Sequence, residues 1–566
     1  MSELTWSQRG LWDLHRETWP DNQYFNLSSQ FQAPPGCALT DIEDALRWIV
    51  ERYEAFRTTV RRDPGGGPYQ QVAAAGAYPL DVHEADGTDP ASVTERLTGE
   101  YRAQAFADEE WPLRVAVVTQ GGAPAYLLFT ASHLAVDGWG LRVAQLAFAG
   151  RLTGQAASAE APWQPLDQAA AEASAAGQHM AEQAARYWRR SLRAIPQTMF
   201  PREPAQPRGR WCPTGELTSA AAAMAADALA ARHGTTGSSV ILAATAALLG
   251  LHTGNKTVAM CLLAANRDEA KAREMIGTCV QPVLFTVDLG GAGPDGTSFH
   301  DLIDRTARSA AAARRGARYP PPLIEEVMRE INACRGIKAD LLCQFHDETE
   351  AADRVVSAPR SLDEIAAARS RSRFRPGVLF GAPQKFLLHV SGHPGAELGL
   401  TLAADRGYLS REDVRALVCG IETVLVEAAG RDFSLAEAAA RAGVTATGHG
   451  PAAVLVDRCW VEPEAVSELL AAVPGVVAAR AEVAEDQGGC RLVGTVAVRD
   501  AGLDAARLHR EVIGLLDGRP AAMAPQHYLI HLATDQGSAD IDALPRCGEG
   551  PGRPVYVPRP GEDEVN

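Results

Sequence analysis

The stretch SHLAVDGW, residues 132–139, sets a histidine, a carboxylate and a glycine at fixed spacing. Imidazole has the one unperturbed side-chain pKa near neutrality, so His133 can take up and release a proton in place. Asp137, four residues on, can orient that ring, or pair with an arginine and fix the loop. Gly138 permits a backbone geometry that a β-carbon would obstruct. Taken alone, HxxxDG fits proton transfer and equally a structural histidine satisfied by its surroundings. A zinc site fits less well, because no third ligand lies nearby.

The loop needs elements to hold it. Before it, LRVAVVTQ and AYLLFTAS read as strands joined by a hairpin turn at Gly121–Pro124. After it, Leu141, Ala144, Phe148 and Leu152 fall on one helical face. The motif therefore occupies a strand-to-helix loop. Upstream, TDIEDALRWIVERYEAFR is a strong helix, with Thr40 and Glu43 placed for a capping box. Residues 154–215 are rich in Ala, Gln, Pro and Arg and read as a connector with one helix. A second α/β set follows, with a buried helix at SSVILAATAALLGLH and strands at KTVAMCLLAA, VLFTVDL, DLLCQFHD, KFLLHVSG and ELGLTLAAD. Past the linker ATGHGP, the texture changes to a small α+β unit. The expected organisation is an N-terminal lobe (1–165), a connector (166–215), a second lobe (216–435), the small unit (450–545) and an extended tail (546–566).

Composition bounds the function. The 566 residues are 46% hydrophobic and 22% charged, as expected of a globular protein of several domains. A formal net charge of −16 argues against nucleic acid as the main partner. The ten cysteines are scattered, none in CxxC, and read as reduced thiols. No apolar run approaches the roughly 18 residues of a membrane helix, and the start lacks a signal-peptide layout, so a cytoplasmic protein is expected.

Several motifs in order resemble the condensation domains of nonribosomal peptide synthetases, over residues 1 to about 430. SHLAVDGWG is similar to their HHxxxDG loop. LTWSQRGLW matches the opening motif at Thr5, Gln8 and Trp12. RYEAFRTTV matches the Arg-His-Glu-x-Leu-Arg-Thr block at Arg52, Glu54, Arg57 and Thr58. MIGTCVQPVLFTV matches the Ile-Gly-x-Phe-Val-Asn block at Ile276, Gly277 and Val280, with Arg267 shortly before it. The resemblance implies an α/β fold of two chloramphenicol-acetyltransferase-like lobes in a V-shaped pseudo-dimer, plus the small C-terminal subdomain. It implies a free-standing condensation enzyme, an acyltransferase that joins a carrier-bound acyl thioester to an amine (or a hydroxyl, giving an ester). No bound cofactor and no metal are implied; substrates would ride on the phosphopantetheine arms of separate carrier proteins. The acceptor is free or tethered. His133 would accept the amine's proton or hold it by a hydrogen bond. Gly138 N–H would face the developing oxyanion, and Asp137 would pair with Arg267 to hold the loop. Ser132 replaces the first histidine of the motif. Cys279 and Gln281 depart from the family's Phe and Asn, at positions bordering the acceptor side. A non-catalytic carrier-binding scaffold and an acyltransferase using a soluble thioester are the alternatives.

The C-terminal unit resembles the small subdomain of acyl-adenylating enzymes, through Pro463, Val466, Leu469, Pro474 and Gly475, and through Pro520, Met523 and Pro525. Ser538 stands where those enzymes carry the adenylating lysine, so the unit is expected to be a remnant without adenylating activity. Two arginine runs, 185–193 and 308–318, are basic in an acidic chain. They are either solvated helix faces or a docking surface for an acidic carrier protein, with Arg314 and Arg315 the candidates.

Overall fold

The computed structural model describes residues 2–18, 22–107, 110–155, 160–205, 209, 211–290, 297–349, 361–380, 384–392, 397–486, 489–500, 502–533 and 540–556. The chain divides into two compact units. One holds Met1–Ala184, Ala264–Pro282 and Ala317–Leu323, and the other Ala185–Leu263, Val283–Gly316 and Ile324–Asn566.

The first unit contains β1 (Ser2–Glu3), α1 (Trp6–Glu17), β2 (Leu27–Gln32), α2 (Leu39–Arg52), β3 (Thr58–Arg62), β4 (Pro68–Val72), β5 (Leu80–Glu84), α3 (Pro90–Arg102), β6 (Leu113–Gln120), β7 (Ala123–Ala131), α4 (Gly138–Leu152), α5 (Pro165–Ala173) and the start of α6 (Ala175–Ala194). Its main sheet runs β2-β7-β6-β5, with a small sheet β1-β4-β3. β6 is apolar almost throughout because both of its faces are covered. Val115 and Val117 pack with Ile42 and Ile49 of α2 and Phe148 of α4. Ala116 and Val118 pack with Val93 and Leu97 of α3. The β6–β7 turn is made by Gly121 and Gly122, both at positive φ (60° and 78°), and the Glu84 carboxylate accepts from both of their N–H groups.

One helix start differs from expectation. α2 begins at Leu39, ahead of the expected cap at Thr40, and Asp41 reaches back to accept from Ala38 N–H at 2.8 Å. The capping box of this region belongs instead to α1. Gln8 N–H donates to Thr5 Oγ1 at 3.2 Å, and Thr5 N–H donates to Gln8 Oε1 at 2.9 Å. That local bond pair accounts for two of the opening-motif residues.

The second unit contains the rest of α6, then β8 (Trp211–Ser219), α7 (Ala220–His233), α8 (Gly237–Thr253) and β9 (Thr257–Ala264). After α9 (Ala270–Arg273), which lies in the first unit, come β10 (Gln281–Asp288), α10 (Phe299–Arg315), α11 (Pro321–Arg335), β11 (Cys343–Asp347), α12 (Leu362–Arg369), β12 (Arg373–Phe380), β13 (Phe386–Gly392), β14 (Leu398–Ala404), α13 (Arg411–Gly430) and α14 (Leu435–Ala442). The seven strands order as β10-β9-β11-β13-β14-β8-β12. α8 is apolar on nearly every face because nearly all of it is buried.

The small C-terminal part is β15 (Val454–Val456), β16 (Cys459–Val461), α15 (Pro463–Ala471), β17 (Val476–Asp486), β18 (Gly489–Val498), α16 (Ala505–Gly514), β19 (His527–Leu532) and β20 (Arg546–Gly550). It packs within the second unit. Ile337, just after α11, joins the cluster that buries Val466, Leu469 and Met523.

Three expected boundaries change. The connector 166–215 is not a linker: α6 buries Trp188 and Leu192, and β8 starts at 211 as an interior strand between β14 and β12. The tail 546–566 is extended at first because residues 546–550 are strand β20, paired with β19. Residues 264–282, placed by chain order in the second lobe, belong to the first unit, and Ile276 lies in its core. Among the described residues, no single helix is long and apolar enough to cross a membrane.

Candidate functional site

β7 ends at Ala131 and α4 starts at Gly138, so the motif is the strand-to-helix loop that its flanking patterns require. Backbone bonds fold the loop on itself. Ser132 N–H donates to Pro112 O, and Ser132 O accepts from Ala135 and Val136 N–H. Asp137 is the N-cap of α4 and does more than cap. Its Oδ1 accepts from Gly140 N–H at 2.7 Å and from Arg267 Nη2 at 2.8 Å, and its Oδ2 accepts from Cys279 N–H at 2.8 Å. Arg267 is buried and also donates to the carbonyls of Ala272, Met275 and Gly277. Asp137 N–H donates in turn to Gly277 O. The expected Asp137–Arg267 pair is therefore present. It ties the HxxxDG loop to residues 267–279 through charge-assisted bonds in the unit's interior.

His133 is half-buried, and its Nδ1 is buried without a hydrogen-bond partner among the described residues. Burial pushes its pKa below the ordinary imidazole value; the nearby Asp137 charge and the loop backbone oppose this without reversing it. The ring is thus biased to the neutral form, the one able to accept a proton.

Gly138 is exposed as the first residue of α4, and its N–H has no partner among the described residues. An N–H at a helix N-terminus is a ready donor to negative charge. The steric reason expected for this glycine is not found: its φ is not positive, and a β-carbon there would meet nothing within 4 Å. The glycine that needs to be one is Gly140. A Cβ there would lie 2.6 Å from Gly277 O and 2.8 Å from Val136 Cγ2, because α4 passes directly over the 277 backbone.

Ser132 is buried and lines a cavity of about 610 Å³ in the first unit. Cys279 is buried, with its thiol pushed up to about 12 by burial, so its contribution is its backbone N–H. Gln281 is buried, and its side chain donates to Tyr319 O at 2.8 Å. It ties two returning segments of the first unit together. Arg314 and Arg315 are exposed in the last turn of α10, where positive charge also suits the helix dipole. In the other run Arg189 is buried and pairs with Glu330 at 3.3 Å, while Arg190 and Arg193 are exposed. Ser538 lies outside the described residues. Sequence reasoning missed Gly140, although the DGWG spelling marks it, and His15 of α1, which no pattern marks. The His15 pKa is pushed down to about 4 by burial and by the nearby His133.

Comparison with known proteins gives the same answer as the loop. The condensation-domain family model matches residues 1–335, and the chain belongs to that family. One of the linear gramicidin synthase proteins of Brevibacillus parabrevis is 27% identical over 328 residues, which is 55% of this chain and 4% of that protein. Phosphinothricin tripeptide synthetase PhsC of Streptomyces viridochromogenes is 25% identical over 328 residues, 55% of this chain and 29% of that protein. The chain thus spans less than a third of the length of either relative. Among solved structures, the first condensation domain of the calcium-dependent antibiotic synthetase matches with a TM-score of 0.58 at 18% identity, covering 77% of this chain and 98% of that one. A structure described as the basis for condensation domain-mediated chain release from the enacyloxin polyketide synthase matches with a TM-score of 0.57 at 21% identity, covering 81% and 85%. Both show the fold.

Proposed function

We propose that this protein forms an amide between an acyl thioester, carried on the phosphopantetheine arm of a carrier protein, and an amine acceptor. The carrying observation is the division of labour within one loop. A neutral-biased His133 and a Gly138 N–H without a partner among the described residues are held at the start of α4 by an Asp137–Arg267 pair that faces inward. In the reaction, the amine nitrogen attacks the thioester carbonyl. The new C–N bond forms, the carbonyl oxygen becomes negative, and Gly138 N–H donates to it. The C–S bond then breaks. His133 takes the proton shed by the amine and returns it to the leaving thiolate, so no net proton is consumed. Because an α-amine and an imidazole have ordinary pKa values near 8 and 6.5, holding the amine in place supplies much of the effect.

The test uses a panel of acyl-loaded carrier proteins and amine acceptors, with product read by intact mass. His133→Ala should lower product formation by about 100-fold or more, the usual worth of a positioned general base. Unchanged product formation would overturn the assignment. For docking, we assign Arg314 and Arg315 to the acidic carrier. Replacing both with glutamine should weaken carrier binding at low salt and much less at high salt. Binding that is unchanged at low salt removes this surface.

A further inference from the structure

We propose that the acidic segment Glu562, Asp563 and Glu564 of this chain docks on a cationic surface formed where the two arginine runs meet. The runs lie far apart in sequence and side by side in the second unit. Trp188 Nε1 donates to Gly316 O at 3.3 Å, and the Tyr187 ring packs so closely on Gly316 that a Cβ there would lie 2.4 Å from it. The Arg190 guanidinium lies 5.8 Å from the centroid of the same Tyr187 ring, and Arg315 immediately precedes Gly316. Along α6, Arg186, Arg190 and Arg193 recur at the i, i+4, i+7 spacing of one helix face. Arg190, Arg193 and Arg315 are exposed and have no carboxylate partner among the described residues. The neighbouring Glu330 is already paired with Arg189.

The last described residues deliver the chain to this surface. Arg553 donates to Pro525 O at 3.2 Å and packs on Gly336, directly after Arg335, which donates to Leu192 O and Ile195 O at the end of α6. Three residues on, Tyr556 lies against Arg193, with the guanidinium 4.4 Å from the ring centroid. Residues 557–566 lie outside the described residues. Their sequence, VPRPGEDEVN, carries three adjacent carboxylates. The six residues from Tyr556 to Glu562 span up to about 20 Å. Arg190 and Arg186 lie about 5 and 10 Å along the helix from Arg193, within that reach. Pro558 and Pro560 favour an extended path. Exposed charge pairs are individually weak, but a short tether holds these at an effective concentration of about millimolar. A free polyanion has no such tether and meets a chain of net charge −16.

The contact stands apart from the condensation reading, but its consequence rests on it: with Arg315 assigned to the acidic carrier, the segment competes with the carrier. The probe is a fluorescein-labelled peptide of sequence PRPGEDEVN, titrated at low salt by fluorescence anisotropy. The full chain carrying Glu562→Gln, Asp563→Asn and Glu564→Gln should bind it about tenfold more tightly than wild type, because the tethered segment no longer fills the surface. Adding Arg190→Gln, Arg193→Gln and Arg315→Gln should abolish this binding, as should high salt. Removing three carboxylates from α2 instead (Glu43→Gln, Asp44→Asn, Glu51→Gln) should leave the wild-type affinity unchanged, which separates docking from net charge. Circular dichroism confirms that the variants fold. Equal affinity of the wild type and the neutralised chain, no binding to the neutralised chain, an equal gain in the α2 variant, or binding that survives the arginine substitutions would overturn the contact. An acyl-loaded carrier protein is then titrated against the same chains, and neutralising 562–564 should tighten its binding several-fold. Peptide effects without any change in carrier binding keep the contact and remove the carrier from this surface. A carrier gain without the peptide effects overturns the contact.

Discussion

His133 and Asp137 are four residues apart and have opposite environments. The aspartate is enclosed by three donors, while the imidazole Nδ1 has no hydrogen-bond partner among the described residues. This predicts different failures. Arg267→Met leaves a carboxylate buried without its cation and should destabilise the first unit by about 3–5 kcal/mol, read as a lower urea midpoint. The pH dependence follows from the histidine. Its pKa in the folded chain is lowered, so the proton-accepting form persists below pH 6.5, and kcat/KM, expressed on the concentration of unprotonated amine, should fall only as pH drops through that lowered value. An acid limb at or above 6.5 would contradict this. The same displacement affects stability. For His15 and His133 the unfolded chain takes up protons below about pH 6.5 that the folded chain refuses. Their stabilising contribution is thus present above 6.5 and is lost as pH falls through the folded-state values, about 4 for His15.

The strand-to-helix junction makes its own prediction, because its two glycines are not equivalent. Gly138→Ala adds a methyl to open space and keeps the N–H, so its effect on stability should stay within about 0.5 kcal/mol. Gly140→Ala drives a methyl into Gly277 O and Val136, and should cost about 1–3 kcal/mol and disturb the Asp137 bonds. Denaturation midpoints of the two variants, measured side by side, check the contrast. The order of elements was legible in the sequence because β6 and β7 are apolar runs of strand length joined by a Gly-Gly turn, α8 is an apolar run of helix length, and Leu141, Ala144 and Phe148 fall on one face of α4. The loop was legible because its residues are reactive types at fixed spacing. Long-range proximity was not. Nothing local in ANRDEAKAREMIG says that it folds back onto the first unit; the resemblance supplied Arg267 as a partner for Asp137. Gly140 was missed because its constraint comes from a backbone 137 positions away. His15 was missed because α1 shows only that a histidine sits in its last turn.

Across the second unit, the C-terminal part is fastened by polar bonds as well as by shared core. Arg335 of α11 is buried, donates to Leu192 O and Ile195 O, and pairs with Asp457 at 3.0 Å. Gln197 donates to Pro520 O and Ala522 O, and Ala524 N–H donates to Gly336 O at 2.7 Å. Arg553, beyond the last strand, donates to the carbonyls of Ala524 and Pro525. Even the segment read as a linker is pinned, with His449 stacked on Trp460 at 3.4 Å and Thr447 N–H bonded to His252 O. A subdomain attached this way is a fixed part of the unit. Truncation after Gly443 should therefore expose Ile337, strip Arg335 of its aspartate and leave the chain aggregated or unfolded at 25 °C. A clip within 444–452 tests the same point without removing mass. The clipped fragments should co-elute on size exclusion and unfold together in one calorimetric transition for the second unit. Separate elution of the fragment 453–566 under native conditions, or a distinct low-temperature transition lost on its removal, would show a tethered module instead. The single substitution Arg335→Met gives a graded version: it leaves Asp457 with about a third of its surface exposed and therefore able to solvate. Its cost should come chiefly from the orphaned Leu192 and Ile195 carbonyls, about 1–3 kcal/mol each, and should lower the midpoint of that one transition without splitting it.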